Sequence, residues 1–117
     1  MKNNPEVLAN AAAKALDDKK GEDIRIYDVR GISAITDFTV AATGTSAPHL
    51  RGLIAEVQKQ LREQGYQSYR MSGDPASGWV IVDYVDVVIH VFSPEAREYY
   101  AIERLWEKKP EEPKTEE

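Results

Sequence analysis

The stretch from Trp79 to Phe92, WVIVDYVDVVIHVF, contains two runs rich in Val, Ile and aromatic residues. The first run covers 79–84 and the second covers 86–92. Apolar runs this continuous are typical of strands that are covered on both faces of a sheet. Because only a tight turn separates the two runs, we expect them to pair as an antiparallel hairpin. The hairpin therefore predicts a central sheet with other elements packed against it.

Three helices are predicted around this hairpin. The first begins after the N-cap Asn4 and ends where Gly21 can adopt the left-handed conformation. The second begins after the N-cap Ser46 and stops at Gly65. The third follows the cap Ser93. Its apolar stripe has four members: Tyr99, Ile102, Leu105 and Trp106.

Three further strands complete the predicted sheet. Two of them, over 24–29 and 38–43, lie between the first and second helices. A short third strand over 66–71 follows the second helix, and a loop rich in Ser, Gly and Pro covers 72–78. The order is therefore αββαβββα. It predicts an α/β fold in which a mixed β-sheet is flanked by helices.

Length and composition predict one soluble domain. The 117 residues suit a single domain over 1–106, followed by a charged, disordered tail over 107–117. The absence of cysteine excludes disulfides and thiolate zinc sites. No apolar run could span a bilayer and no signal peptide is evident, so we expect a cytoplasmic protein. The net charge of −5 favours a basic partner over a phosphate backbone.

A nucleotidyltransferase-like enzyme is the first catalytic class to consider. The turn 44–46 lies between a strand and a helix, where backbone N–H groups can hold a phosphate. Such an enzyme also needs paired carboxylates for Mg²⁺, but Asp83 and Asp86 flank a turn and no Asp-x-Asp pair follows the helix. We therefore favour the interpretation that Ser46 simply caps a helix.

The two histidines give little indication of a catalytic or metal site. His49 lies in the first turn of the second helix without an evident nucleophile or carboxylate near it in sequence, which favours a hydrogen-bonding role. His90 lies among Val and Ile within a strand, which favours a buried, hydrogen-bonded side chain. We expect no metal and no cofactor.

Trp79, Tyr84 and Phe92 fall at the strand ends or at the rim of the predicted hairpin. Large aromatic side chains are enriched where protein surfaces bind one another. They are equally common in protein cores. The residue pattern alone leaves both interpretations open.

Four stretches of the chain together resemble the ribosomal silencing factor (Iojap-like) family. Residues 23–45, DIRIYDVRGISAITDFTVAATGT, contain the run Asp-Val-x-Gly-x-Ser-x-x-Thr-Asp. Ser46-x-x-His49 is similar to the start of the family's central helix. GWVIVDYVDVVIHVF over 78–92 and YYAIERLW over 99–106 are similar to its hairpin and closing helix. The resemblance covers about residues 4 to 106.

The resemblance implies a non-catalytic protein that represses translation. Its partner would be the large ribosomal subunit, bound through ribosomal protein fourteen of that subunit. Binding there would sterically block association with the small subunit. The fold would be similar to nucleotidyltransferases without their catalytic carboxylates, and the free protein could be a homodimer. No membrane and no DNA is implied.

The resemblance also assigns the partner-binding residues. By position, the surface would include Trp79, Tyr84 and Phe92, which favours the surface interpretation of these rings and predicts an exposed patch near Val85. The family usually has Gly where this chain has Val85. Because valine resists a positive φ, we expect either a different turn geometry or local strain at this position.

Overall fold

The computed structural model describes residues 4–107 of the chain, which form one α/β domain. The predicted order αββαβββα is confirmed, with two short 3₁₀ turns added. Apart from Glu107, the predicted disordered tail lies outside the described residues. The helices are α1 (Pro5–Asp18), α2 (Ala47–Glu63) and α3 (Pro94–Tyr100), and the strands are β1 (Glu22–Asp28), β2 (Phe38–Thr43), β3 (Arg70–Asp74), β4 (Trp79–Asp83) and β5 (Val87–Phe92).

The strands form a single mixed sheet in the order β1-β2-β5-β4-β3. The predicted hairpin is confirmed: β4 and β5 are antiparallel, and Trp79 lies opposite Phe92. Only β2 and β5 run parallel. Strand β5 is central, as predicted. Strand β4 is fully buried on one face only, because Val80 and Val82 are buried while Ile81 is partly exposed.

The caps of the two long helices agree with the sequence. Asn4 Oδ1 accepts a hydrogen bond from the Glu6 backbone N–H at 2.9 Å, and Ser46 Oγ accepts one from His49 at 3.1 Å. The predicted end of α1 is wrong in one detail: Lys20, with φ 64°, adopts the left-handed conformation instead of Gly21. Gly21 is needed for close packing, because a Cβ there would lie 3.0 Å from the Leu16 carbonyl oxygen.

The predicted third strand is displaced along the chain. It covers Arg70–Asp74 rather than 66–71, so it includes residues that the sequence assigned to a loop. Gly73 has φ 90°, and a Cβ at this position would collide with the Trp79 carbonyl oxygen. Pairing with β4 thus requires glycine here. A residue type that indicates a loop in isolation serves in this fold as part of an edge strand.

Helices α1 and α2 cover only one face of the sheet. Their apolar stripes, which include Leu16, Leu53 and Val57, pack against Val40 and Ile89 in the main core. The other face, here called the second face, has no long helix on it. Directly opposite residues of paired strands share a face. The second face therefore carries Thr39, Ala41, Thr43, Trp79, Ile81, Val88, His90 and Phe92.

The C-terminal segment, residues 94–107, closes part of the second face. The prediction of one continuous third helix is wrong: α3 ends at Tyr100, Ala101 has φ 47°, and a 3₁₀ turn follows over Ile102–Leu105. This break turns Ile102 and Trp106 onto the cluster of Ala41 and Phe92. Of the four residues in the predicted apolar stripe, Ile102 and Trp106 therefore pack inward as expected, whereas Tyr99 and Leu105 are exposed.

A buried ion pair holds the C-terminal segment in place. Arg97 Nε and Nη2 donate to the two carboxylate oxygens of Glu103 at 2.7 and 2.8 Å, across the break at Ala101. Arg97 Nη1 also donates to Thr43 Oγ1 at 2.7 Å, and Tyr27 donates to Glu103 at 2.6 Å. The hydrogen bonds from Arg97 hold the pKa of Glu103 below its ordinary value. The segment is thereby joined to β1 and β2.

Replacing Arg97 should loosen the C-terminal segment. Arg97→Met leaves the mostly buried Glu103 carboxylate without its partner, which we expect to cost roughly 3 kcal/mol. Hydrogen exchange should accelerate at residues 101–107 and remain slow in α1 and α2. Arg25→Met is the matched control, since the Arg25–Asp23 pair is exposed and should contribute little. Equal effects of the two substitutions would contradict this role for Arg97.

The hairpin turn shows both features that were expected as alternatives at Val85, a different turn geometry and an unfavourable positive φ. Val85 has φ 72°, and the Asp86 backbone N–H donates to the Tyr84 carbonyl at 2.9 Å, which closes a γ-turn around Val85. The Val85 N–H donates to Asp83 Oδ1 at 2.7 Å, and Thr36 Oγ1 donates to the Val85 carbonyl at 3.1 Å. These contacts hold a β-branched residue in a conformation that it resists.

Val85→Gly should stabilise the fold. Removing the side chain relieves a strain of about 1–3 kcal/mol, while glycine costs roughly 0.5–1 kcal/mol through the unfolded chain. We expect a net gain of about 1 kcal/mol, or about 4 °C in Tm. Val85→Ala is the control: it keeps the Cβ and should gain less. Calorimetry that finds the glycine variant less stable than the parent would show that the turn is unstrained.

Candidate protein-docking surface

The three aromatic residues predicted to form one patch do not lie together. Trp79 and Phe92 are direct neighbours on the second face, with ring centroids 5.3 Å apart. Tyr84 follows the other end of β4 and belongs to the main core on the opposite side of the sheet. It lines a small hollow with Arg62 and Tyr66. The hairpin thus separates Tyr84 from the other two rings.

The exposure predicted for these rings is wrong for two of them. Phe92 is 0% exposed and Tyr84 is 8% exposed, whereas Trp79 is only partly buried. Phe92 lies on the central strand under the C-terminal segment, and Tyr84 packs beneath α2, so burial follows from the sheet order. Burial also raises the pKa of Tyr84. Whether these residues bind a partner stays a prediction.

Two exposed tyrosines extend the ring cluster to the surface. The Trp79 and Tyr100 ring centroids are 4.8 Å apart, and those of Tyr100 and Tyr99 are 4.9 Å apart. Tyr99 is 79% exposed and Tyr100 is 51% exposed. This exposed pair was not predicted, because the residue pattern places Tyr99 in the apolar stripe of a helix. Adjacent residues on a helix point in different directions, so Tyr99 and Tyr100 cannot both face the core, and this signal was present in the sequence.

The ring cluster continues inward along the second face. Trp79 Nε1 donates to His90 Nδ1 at 3.2 Å, and the His90 and Trp106 ring centroids are 4.8 Å apart. Trp106 in turn contacts Tyr27, at 5.6 Å between centroids. We call the whole set the aromatic face. Its members are Tyr27, Trp79, His90, Phe92, Tyr99, Tyr100 and Trp106.

The exposed end of the aromatic face has the properties of a protein-docking site. Its buried members hold Trp79 in place from below, so the ring loses little conformational freedom on binding. Tyr and Trp anchors of this kind dominate many protein interfaces. The elements that carry these rings also carry acidic residues: Glu95 and Glu98 are exposed on α3, and Asp74 of β3 is paired with Trp79. The charge of this surface favours a basic partner.

The turn before α2 is already satisfied by the protein itself. The Gly44 N–H donates to the Phe92 carbonyl at 2.8 Å, and the Thr45 N–H donates to His49 Nδ1 at 2.9 Å. With Nδ1 as an acceptor, His49 Nε2 carries the proton and donates to the Lys19 carbonyl at 2.9 Å. The hydrogen-bonding role predicted for His49 is confirmed, and it joins the end of α1 to the start of α2.

Neither a metal cluster nor a membrane helix is found in the described part of the chain. Within residues 4–107, no group of three His, Cys, Asp or Glu side chains could hold a metal ion. Of the two carboxylates near the hairpin turn, Asp83 accepts the Val85 N–H. No helix over the same residues has the length and apolarity needed to cross a membrane.

His90 is buried, as predicted, at the centre of the aromatic face. Burial lowers its pKa from 6.5 to about 4, and the charge of Glu103 opposes this only weakly. Between these two pH values the unfolded chain binds a proton that the folded protein does not. The free energy of unfolding therefore falls as the pH decreases through this range.

We expect acidification to destabilise the protein through His90. From about pH 7 to about pH 5 the loss should be about 2 kcal/mol, measured by urea unfolding at each pH. His90→Gln removes the imidazole and should flatten the dependence, whatever its effect at neutral pH. His49→Gln serves as the comparison and should keep the part of the slope that His90 causes. A His90→Gln protein with the parental slope would contradict this assignment.

Comparison with known proteins agrees with the fold and identifies the family. The family model described as "Ribosomal silencing factor during starvation" matches residues 2–117. The chain is 39% identical to ribosomal silencing factor RsfS of Bacillus subtilis over 103 residues, which are 88% of this chain and 87% of that protein.

Two solved structures have the same fold. A crystal structure of a protein from Chromobacterium violaceum matches with a TM-score of 0.86 and 34% identity, over 97% of this chain and 95% of that one. A crystal structure of a protein from Bacillus halodurans matches with a TM-score of 0.77 and 36% identity, over 92% of this chain and 99% of that one. The family match and the close relative together show that this chain belongs to the ribosomal silencing factor family.

Proposed function

We propose that this protein binds the large ribosomal subunit through ribosomal protein fourteen of that subunit, blocks association with the small subunit and so represses translation in the cytoplasm. Membership of the ribosomal silencing factor family supports a role at the ribosome. One structural observation carries the proposal: the aromatic face ends in the exposed rings of Tyr99 and Tyr100, on a helix that also exposes Glu95 and Glu98, in a chain of net charge −5. Such a surface suits a basic ribosomal protein.

The proposed mechanism is occlusion without chemistry. The domain is a flat body with extents of 49 × 39 × 22 Å, so a copy bound at a subunit contact would occupy space that the other subunit needs. An interface of ordinary size, roughly 1,600 Å² in total, is enough to hold it. A non-catalytic role is also supported by the turn before α2, where the Gly44 and Thr45 N–H groups are already engaged within the protein.

The residues predicted from the sequence take different parts in this proposal. In this proposal Trp79 contacts the partner together with Tyr100, whose ring lies against it, and Tyr99, whose ring lies against Tyr100. Phe92 acts from below by supporting Trp79. Tyr84 belongs to a separate region at the hairpin end, near the exposed Tyr69, whose N–H donates to the Asp83 carbonyl. A second copy of the chain in a free homodimer would use the same exposed rings.

Sedimentation with separated ribosomal subunits tests the proposal. The parent protein should co-sediment with the large subunit and lower the yield of joined ribosomes. Trp79→Ala and Tyr100→Ala should each weaken binding by about 30-fold, since an anchor residue is worth about 2 kcal/mol. Val7→Ala is the control, because Val7 is an exposed apolar residue on α1, which packs on the opposite face.

A further variant tells whether the partner binds at the exposed end of the aromatic face or at the hairpin end near Tyr84. Tyr69→Ala removes an exposed tyrosine close to Tyr84 and should leave binding to the large subunit unchanged. If Tyr69→Ala weakens binding while Trp79→Ala and Tyr100→Ala do not, the docking surface lies at the hairpin end. If the parent protein fails to co-sediment with the large subunit at all, the proposed function itself is wrong.

A further inference from the structure

A groove opens on the second face, at the opposite end from the exposed tyrosines. It has a volume of about 430 Å³ and lies between the loop after β1, strand β5 and the end of the C-terminal segment. Ile32, Leu105 and Trp106 form apolar parts of its wall. Grooves of this size and composition are typical of sites for small molecules.

Four polar side chains line the groove, and two of them are already engaged. Ser33 Oγ accepts the Ile35 and Thr36 backbone N–H groups at 3.2 and 3.0 Å. Thr36 Oγ1 donates to the Val85 carbonyl at 3.1 Å. These two hydroxyls shape the loop that forms one side of the groove.

Each of the other two side chains has one polar atom without a hydrogen-bond partner inside the described chain. Thr39 is 5% exposed, and its Oγ1 has no hydrogen-bond partner within residues 4–107. Over the same residues, the only hydrogen bond of the His90 ring is the one that Nδ1 accepts from Trp79. The acceptor role of Nδ1 places the ring proton on Nε2. Leaving a buried hydroxyl unpaired costs free energy, so we expect Thr39 Oγ1 to bind a partner from outside the described chain.

Thr39 and His90 are placed to bind one ligand together. They lie on the adjacent strands β2 and β5, where Thr39 is opposite Val88 and Ala41 is opposite His90, so they are diagonal neighbours on one face. One supplies a hydroxyl that can donate or accept, and the other an N–H donor. The Trp106 ring beside His90 offers a flat surface for stacking.

We infer that this groove is a binding site for a small, uncharged, planar molecule with a carbonyl group, such as an aryl amide or a nucleobase, and that Thr39 and the His90 N–H bind its polar edge. The ligand is uncharged because, among residues 4–107, the side chains that line the groove include no Asp, Glu, Lys or Arg. Burial lowers the pKa of His90 to about 4, so the imidazole is neutral at neutral pH.

Titration of the full-length protein with benzamide tests this site. Amide correlation spectra should show saturable shifts at Thr39, His90 and the Trp106 indole N–H, with a dissociation constant of about 1 mM for so small a molecule. Benzoate, which is charged, and toluene, which lacks a polar group, should each bind at least about 5-fold more weakly.

Two variants and a matched control assign the binding to this groove. Thr39→Val keeps the side-chain shape and should weaken benzamide binding by about 5-fold. Ile32→Trp should block the groove and abolish the shifts. Ile35→Trp is the control: Ile35 is 72% exposed in the same loop, does not line the groove and should bind benzamide as the parent does.

Two results would overturn the inference. The first is the absence of saturable shifts with benzamide. The second is parental affinity in Thr39→Val or in Ile32→Trp, which would mean that the bound probe lies elsewhere. If benzamide does not bind and Ile32→Trp also no longer co-sediments with the large ribosomal subunit, the groove is part of the protein-docking surface instead. The proposed ribosomal function survives each of these results.

Discussion

The structure depends on how the second face of the sheet is closed. Strand β5 lies at the centre of the sheet and carries apolar side chains on both faces, so both must be shielded from water. Helices α1 and α2 shield one face. On the other, Phe92 is shielded by neighbouring rings and by a short segment that breaks at Ala101. The Arg97–Glu103 pair fastens that segment, and the burial of Phe92 follows from it.

The same rings that close the second face also reach the surface. From Phe92 the contacts pass through Trp79 and Tyr100 to Tyr99, so exposure increases along one continuous cluster. A helix layer across the whole face would have buried this cluster. Because the C-terminal segment is short, its end of the sheet keeps exposed aromatic side chains that are held rigidly from below. A rigid aromatic anchor in an acidic setting is a physical basis for binding a basic protein.

The sequence predicted the parts of the fold that local chemistry determines. The continuous apolar runs predicted the hairpin, and Asn4 and Ser46 marked two helix starts correctly. Predictions failed where distant contacts decide. Gly73 joins a strand because β4 lies beside it, and the helix break at Ala101 is bridged by the Arg97–Glu103 pair, which no local pattern shows. For the candidate site, the family resemblance assigned Trp79 to the partner-binding surface. The burial of Phe92 and the exposure of Tyr99 depend on the order of strands in the sheet, which no local sequence pattern contains.

Some polar groups of this fold have a structural role, whereas others are available to bind a ligand. At the turn before α2, where the sequence left a phosphate site to consider, His49 Nδ1 accepts the Thr45 N–H and His49 Nε2 donates to the Lys19 carbonyl at the end of α1. Its hydrogen bonds stabilise the helix pair and leave these donors closed to a ligand. On the second face the situation is reversed, because the buried Thr39 hydroxyl has no hydrogen-bond partner among residues 4–107. A buried hydroxyl persists unpaired only where packing elsewhere offsets its cost or a ligand completes it. The open polar chemistry of this domain therefore lies on the second face, the same face that carries the exposed rings.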